Sequence, residues 1–307
     1  MVIKMELYED KLLSLIQKND KIMILTAENR VSLRNLPEKI PDNFVDVGIS
    51  EQNLVGISAG LAKQGFLPII HGMAAFLTMR AFEFIRTDLG YPNLPSVLVG
   101  SFTGLSPIAN GTANGPTHQA IEDIGLMKLI PNMTIFSPSD MVEKCECLDS
   151  LDQLQGPMYL RDSNFENLGY ERKKFEWGKN ECIKKGNKIA ILTYGFLVGI
   201  CLKVSNELVQ ANVEHSVYNM RFIQPMDLEI LNEIFTNHET IIVIEDHIES
   251  GSLYESLLFY KEKNNLTSSI FAINLKKDFF HPGNFSDALN ASGFTTKQLS
   301  DKILSMI

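Results

Sequence analysis

The sequence predicts an α/β protein made of two α/β/α three-layer domains with mostly parallel sheets. Three observations carry that expectation. Short apolar runs alternate with amphipathic stretches in both halves, as in chained βα units. The rhythm lapses into Asn, Lys, Glu and Gly over residues 166–186. And 307 residues exceed the length at which a single core stops growing, about 250–300 residues. The expected division is a first domain over 1–165, a linker over 166–186 and a second domain over 187–307.

In the first domain, helical periodicity over 5–17 leads into an apolar strand over 21–26. Glu28, Asn29 and Ser32 follow it, just past the carboxyl end where an α/β protein places ligand contacts. A strand over 43–47 feeds a helix with Glu51 in its first turn. A strand over 67–71 precedes a helix over 74–88, rich in aromatics and Met, a pattern that by itself reads as core. The strand over 96–100 is followed by a long Gly- and Asn-rich loop reaching His118, which is expected to open a helix ending near Ile130. Strands over 134–136 and 158–161, with a helix after Asp140 between them, close the domain. The second domain is expected to run strand 188–195, helix 197–210, strand 214–219, a turn over 224–227, a helix, and strand 240–245. A helix after Gly251, a strand over 269–273 and a last helix from Thr295 complete it.

Composition narrows the function. At 45% apolar and 21% charged residues the chain is ordinary globular protein. A net charge of −9 speaks against nucleic acid, which calls for clustered Lys and Arg. No apolar run reaches the roughly 20 residues of a membrane span, and the N-terminus, alternating Lys and Glu with apolar residues, is no signal peptide, so a cytoplasmic protein is expected. Cys145 and Cys147, two apart on a helix, face different ways and make poor joint metal ligands. Cys182 and Cys201 read as small hydrophobes, and no metal site is expected in this chain.

Glu51 stands out. A Glu in a first helical turn ordinarily serves the helix dipole or a capping box. Here it heads a helix containing Gly56, Ser58, Ala59 and Gly60, a choice that costs stability, about 1 kcal/mol per interior glycine. Such a helix is kept where another backbone comes close.

The run Gly48-Ile49-Ser50-Glu51-Gln52-Asn53-Leu54-Val55-Gly56-Ile57-Ser58-Ala59-Gly60-Leu61-Ala62 resembles the glutamate motif of the transketolase family of thiamine-diphosphate enzymes. Gly115-Pro116-Thr117-His118-Gln119 resembles a second element of that family. The likeness extends to Ile223-Gln224-Pro225-Met226-Asp227 and Val243-Ile244-Glu245-Asp246-His247. It covers the pyrimidine-binding and C-terminal domains; the Gly-Asp-Gly of the family's diphosphate-binding domain occurs nowhere in this sequence.

That resemblance implies the C-terminal subunit of a split transketolase, which moves a two-carbon ketol unit from a ketose or ketose phosphate to an aldose. The partner would be an N-terminal, diphosphate-binding subunit that also carries the ligands for Mg²⁺, and self-association of this chain would give a heterotetramer. Glu51 corresponds to the glutamate that bonds the aminopyrimidine nitrogen of thiamine diphosphate and sets its protonation state. Phe76, or Leu77 one residue on, corresponds to the aromatic stacked on that ring. Met73 and Met79 replace companion aromatics as pocket lining, and Glu28 falls where an acidic residue lies near the cofactor. His118 and Asn114 would orient substrate hydroxyls, with Ser32 and Arg161 on a distal phosphate. Phe102 and Asn114 depart from the His and Asp common there, so the core chemistry is kept while substrate reading is changed. The alternatives are the β-chain of a 2-oxoacid dehydrogenase or a related decarboxylase, and a non-catalytic scaffold subunit. Asp46, His71 and His247 carry no assigned role.

Overall fold

The structure, a computed structural model, describes residues 2–29, 32–106, 112–113, 115–163, 167–276 and 278–307. Two large sheets organise it. The first takes β1 (Ile22–Thr26), β2 (Phe44–Asp46), β3 (Leu67–Met73), β4 (Ser96–Ser101), β6 (Thr134–Phe136) and β7 (Pro157–Asp162). A short β5 (Thr112–Ala113) stands apart. The second uses β8 (Glu181–Lys184), β9 (Lys188–Thr193), β10 (His215–Asn219), β12 (His238–Ile244) and β13 (Ser269–Ile273). Two further strands are β11 (Phe222–Gln224) and β14 (Gly283–Asn284), the latter antiparallel to β5.

The first sheet has seven strands in the order β11-β6-β7-β4-β3-β1-β2, parallel except for β11. The second has five, β13-β12-β9-β10-β8, parallel except for β8. Neighbouring residues Ile24 and Leu25, Ile69 and Ile70, and Val97 and Leu98 fall into opposite apolar clusters. Both faces of the sheet are therefore covered, which is why these strands read as unbroken apolar runs rather than alternating ones. Among the described residues no helix is long and apolar enough to cross a membrane.

The two α/β units match the expected class, and four details differ from the sequence reading. β11 lies in the span read as second domain yet is hydrogen-bonded to β6, because the chain crosses back to cover the open edge of the first sheet. β8 lies in the span read as linker and serves as an edge strand of the second sheet, its polar Lys and Glu hiding the strand pattern. The helix expected over 74–88 is a chain of π-helical turns, Phe76–Arg80 and Ile85–Gly90, around a short α-turn, Phe82–Phe84. Such wide turns accommodate extra residues and recur at functional sites. His118 sits in a turn, and the helix after it is only Asp123–Lys128, because Asp123 is drawn inward to Arg161 and Tyr159.

The units share apolar clusters and also meet over a polar seam. Arg161, fully buried at the end of β7, donates from Nε to Asp123 Oδ2 at 2.9 Å and from Nη1 to Asp246 Oδ1 at 2.8 Å. Burial opposes the Arg161 charge, but the two carboxylates outweigh it and hold the guanidinium more firmly protonated than usual. Asp246 also accepts from Leu105 N–H at 3.0 Å, while Gly125 N–H donates to His247 Nε2 at 3.2 Å. Glu143 accepts from Asn219 and Arg221 of the second unit.

Candidate active site

All the parallel strands of the first sheet end on one side, and that end carries the singled-out residues. Glu28 and Ser32 follow β1, Glu51 follows β2, Met73 ends β3, Phe76 follows it, and His118 lies in the loop after β4. Between β1 and β3 the strand order reverses direction, β2 lying to one side of β1 and β3 and β4 to the other. At such a switch point the loops diverge and leave a crevice.

Asp46 braces the crevice. Its Oδ1 accepts from Gly48 N–H at 2.9 Å and from Glu28 N–H at 3.2 Å, tying the loop after β1 to the loop after β2. Gly48 takes a φ of +70°, which turns the chain into the helix Glu51–Lys63. Glu28 is also left-handed, at φ 56°, with its side chain exposed. Left-handed non-glycine residues concentrate at functional loops.

Glu51 is 2% exposed, at the positive end of its helix dipole. Arg80 donates from Nη1 to Glu51 Oε2 at 2.7 Å. The other carboxylate oxygen has no hydrogen bond among the described residues. The Arg80 guanidinium lies over the Phe76 ring, 4.5 Å from its centroid, and the far edge of the arrangement is His118, whose ring meets Phe76 edge-on at 4.9 Å. Thr117 Oγ1 lies 2.7 Å from His118 Nδ1, which leaves Nε2 outward-facing in hydrogen-bonding terms, without a protein partner among the described residues. Glu51, Arg80, Phe76 and His118 thus form one contiguous set, drawn from the helix after β2, the π-turn after β3 and the turn at His118.

Leu77, the alternative for the stacking position, is fully buried in the core, and Phe76 is the half-buried neighbour that meets His118. Met73 is half-buried beside it and Met79 is 39% exposed. Ser32 is half-buried, and among the described residues no hydrogen bond joins it to the set. Asn114 lies outside the described residues. Arg161, expected on a distal phosphate, is fully buried with its guanidinium bonded to Asp123 and Asp246, and it joins the two units. Arg80 and Asp46 are what the sequence reading missed. Arg80 stands four residues after Phe76, a spacing that places both on one helical face and could have flagged it. Among the described residues no cluster of three or more His, Cys, Asp or Glu is arranged to hold a metal ion.

A buried carboxylate with one uncommitted oxygen, beside a half-buried aromatic face, suits a flat nitrogen heterocycle: the ring stacks while a ring N–H donates to the carboxylate. The fold and this site define a two-domain α/β protein with a crevice at the carboxyl end of its first sheet. The chain belongs to the transketolase family: its residues 5–164 match the pyrimidine-binding domain of transketolase, and residues 178–299 match the transketolase C-terminal domain. It is 30% identical, over 98% of its length, to 1-deoxy-D-xylulose-5-phosphate synthase of Dictyoglomus thermophilum, of which it covers 49%. The chain spans about half the length of such relatives. It is 26% identical to a putative transketolase C-terminal section of Methanocaldococcus jannaschii, over 97% of this chain and 94% of that one. A solved split-gene transketolase, described as an inactive beta4 tetramer, superposes with a TM-score of 0.85 at 26% identity, covering 98% of this chain and 97% of that one.

Proposed function

We propose that this chain is the C-terminal subunit of a split, thiamine-diphosphate-dependent transketolase, a transferase that moves a two-carbon ketol unit from a ketose or ketose phosphate to an aldose. The observation that carries the reading is the Glu51–Arg80–Phe76–His118 set at the carboxyl end of the first sheet. Bound thiamine diphosphate supplies the carbon nucleophile. The chain's own residues bind and orient. Glu51 offers its uncommitted oxygen to the aminopyrimidine and holds the proton there, while the Arg80 bond to the other oxygen fixes the orientation of the carboxyl group. Phe76 underlies the ring, Met73 and Met79 border it, and Glu28 stands at the margin. His118 holds a substrate hydroxyl through Nε2 with Asn114 as its companion, and Ser32 and Arg161 are the candidates for a distal phosphate or other polar group. Mg²⁺ and the diphosphate belong, on this reading, to a partner chain. The extent of the likeness to split-gene and C-terminal-section proteins supports the need for that partner. A Cβ at Gly56 or Gly60 would meet nothing within 4 Å in this chain, so the two glycines leave a smooth strip on which a second copy can pack closely to build a heterotetramer.

A second reading, half of a 1-deoxy-D-xylulose-5-phosphate synthase-type enzyme, is favoured by the names of several relatives. Capture of the tagged chain from its own cells, with mass spectrometry of what copurifies, tests the need for a partner. A stoichiometric companion carrying Gly-Asp-Gly is expected. Assembled enzyme that turns over a ketose donor, and loses about 10²–10⁴-fold in kcat on Glu51→Gln, supports ketol transfer. Turnover of pyruvate instead supports the second reading, and a Glu51→Gln enzyme as fast as wild type refutes both.

A further inference from the structure

The opposite end of the first sheet holds a second cleft. It opens at the amino ends of β6 and β7, with Asn93 just before β4, so the full length of the strands separates it from Glu51. Its volume is about 620 Å³, within the roughly 300–1,000 Å³ of small-molecule sites. One wall comes from the second half of the chain, through Gln224 at the end of β11 and Trp177.

The lining has an unusual chemistry. It includes no Asp, Glu, Lys or Arg, and it gathers five amide side chains: Asn93, Asn132, Gln153, Gln155 and Gln224. Three of these are anchored through their nitrogens, Asn93 to Gln155 O at 3.3 Å, Asn132 to Gly90 O at 3.2 Å and Gln224 to Met133 O at 3.0 Å. Anchoring the nitrogen commits one donor and leaves each amide oxygen as an acceptor. The side chains of Gln153 and Gln155 make no hydrogen bond among the described residues, and neither does the Trp177 indole N–H. Trp177 is half-buried and held edge-on against the buried Phe222, ring centroids 5.6 Å apart, so it is a supported aromatic plate.

A ring of paired donors and acceptors beside one aromatic plate, with no charge, suits a molecule with hydroxyls on its rim and C–H groups on its face. An anion is disfavoured, because nothing there would repay the loss of its hydration. We propose that this cleft binds a neutral, unphosphorylated carbohydrate, a site separate from the proposed active site and bridging the two halves of the chain.

Trp177 is the only tryptophan in the chain, so fluorescence excited at the red edge of indole absorption, where tyrosine is silent, reports this cleft, and Trp177→Phe supplies the blank for any signal from a partner. The full chain, with its partner if it isolates as a complex, is titrated with D-glucose, D-xylose and maltose, and separately with glucose 6-phosphate and adenosine. A saturable change with at least one free sugar by tens of millimolar is expected, weaker with the phosphate ester and retained in Glu51→Ala. The double variant Gln153→Ala with Gln155→Ala removes two exposed side chains and should fold normally while losing about tenfold in affinity or more. No saturable response to any free sugar overturns the proposal. So does a response to adenosine alone, or a sugar response that the double variant leaves unchanged.

Discussion

His118 presents Nε2 without a protein partner among the described residues while Thr117 occupies Nδ1. If that nitrogen holds a substrate hydroxyl, His118→Ala should lower kcat/KM for the ketose by about tenfold or more, the worth of one hydrogen bond. Cofactor affinity, read by titration, should stay near wild type. Three other histidines act on stability, among them His215, which burial first and Lys184 after it push down from the usual imidazole value. His71, fully buried between the Tyr8 hydroxyl and Leu25 O, is lowered to about 3 by burial first and by Lys144 second. His247 is lowered to about 4, again chiefly by burial. His71 and His247 are both neutral in the folded chain, whereas an unfolded histidine takes up a proton below about pH 6.5. Their stability contribution is therefore complete above pH 6.5 and is lost as pH falls toward 4, by about 1.4 kcal/mol per pH unit for each. Burial raises the carboxyls of Glu245 and Asp246, which bind protons in the folded state and offset part of the loss at the acid end. Thermal midpoints across pH 7 to 5 should fall, and His71→Gln should make that slope measurably shallower.

At the level of elements, the parallel strands were legible because a sheet covered on both faces leaves continuous apolar runs such as Ile69-Ile70 and Val97-Leu98-Val99. The motif elements were legible for the same local reason: Glu51 and His118 lie in short segments whose residues speak for themselves. The π-turns from Phe76 were not, since a helix pattern gives no warning of a wider hydrogen-bond spacing. Nor was the burial of Arg161, because its partners Asp123 and Asp246 are distant in sequence and a long-range ion pair leaves no periodicity. The loop after β4 shows how tightly such contacts are built. Gly104 takes a φ of +53°, and a Cβ there would lie 1.8 Å from Asp246 Oδ2. Gly104→Ala should destabilise the chain by about 1–3 kcal/mol in denaturant unfolding, from backbone strain and displacement of Asp246 together.

On the scale of the whole molecule, Arg161 is the pin of the seam between the two units. Arg161→Met keeps the length of the side chain but leaves Asp123 and Asp246 buried without their cation, at a cost of about 3–5 kcal/mol. Calorimetry should then resolve two transitions in place of a shared one, while a fold held together by its apolar clusters alone would show only a lower midpoint. The seam also explains why the boundary of the halves was only partly readable: composition marks the polar stretch around 166–186, but pairing disregards it. The edge strand β11 has a bearing on biosynthesis. The ribosome releases the other strands of the first sheet well before residues 222–224 emerge, so β6 waits with a bare flank through the making of β8, β9 and β10. For that interval the nascent chain is at its most vulnerable to pairing with a neighbour, and its first unit is completed only when its second is half made.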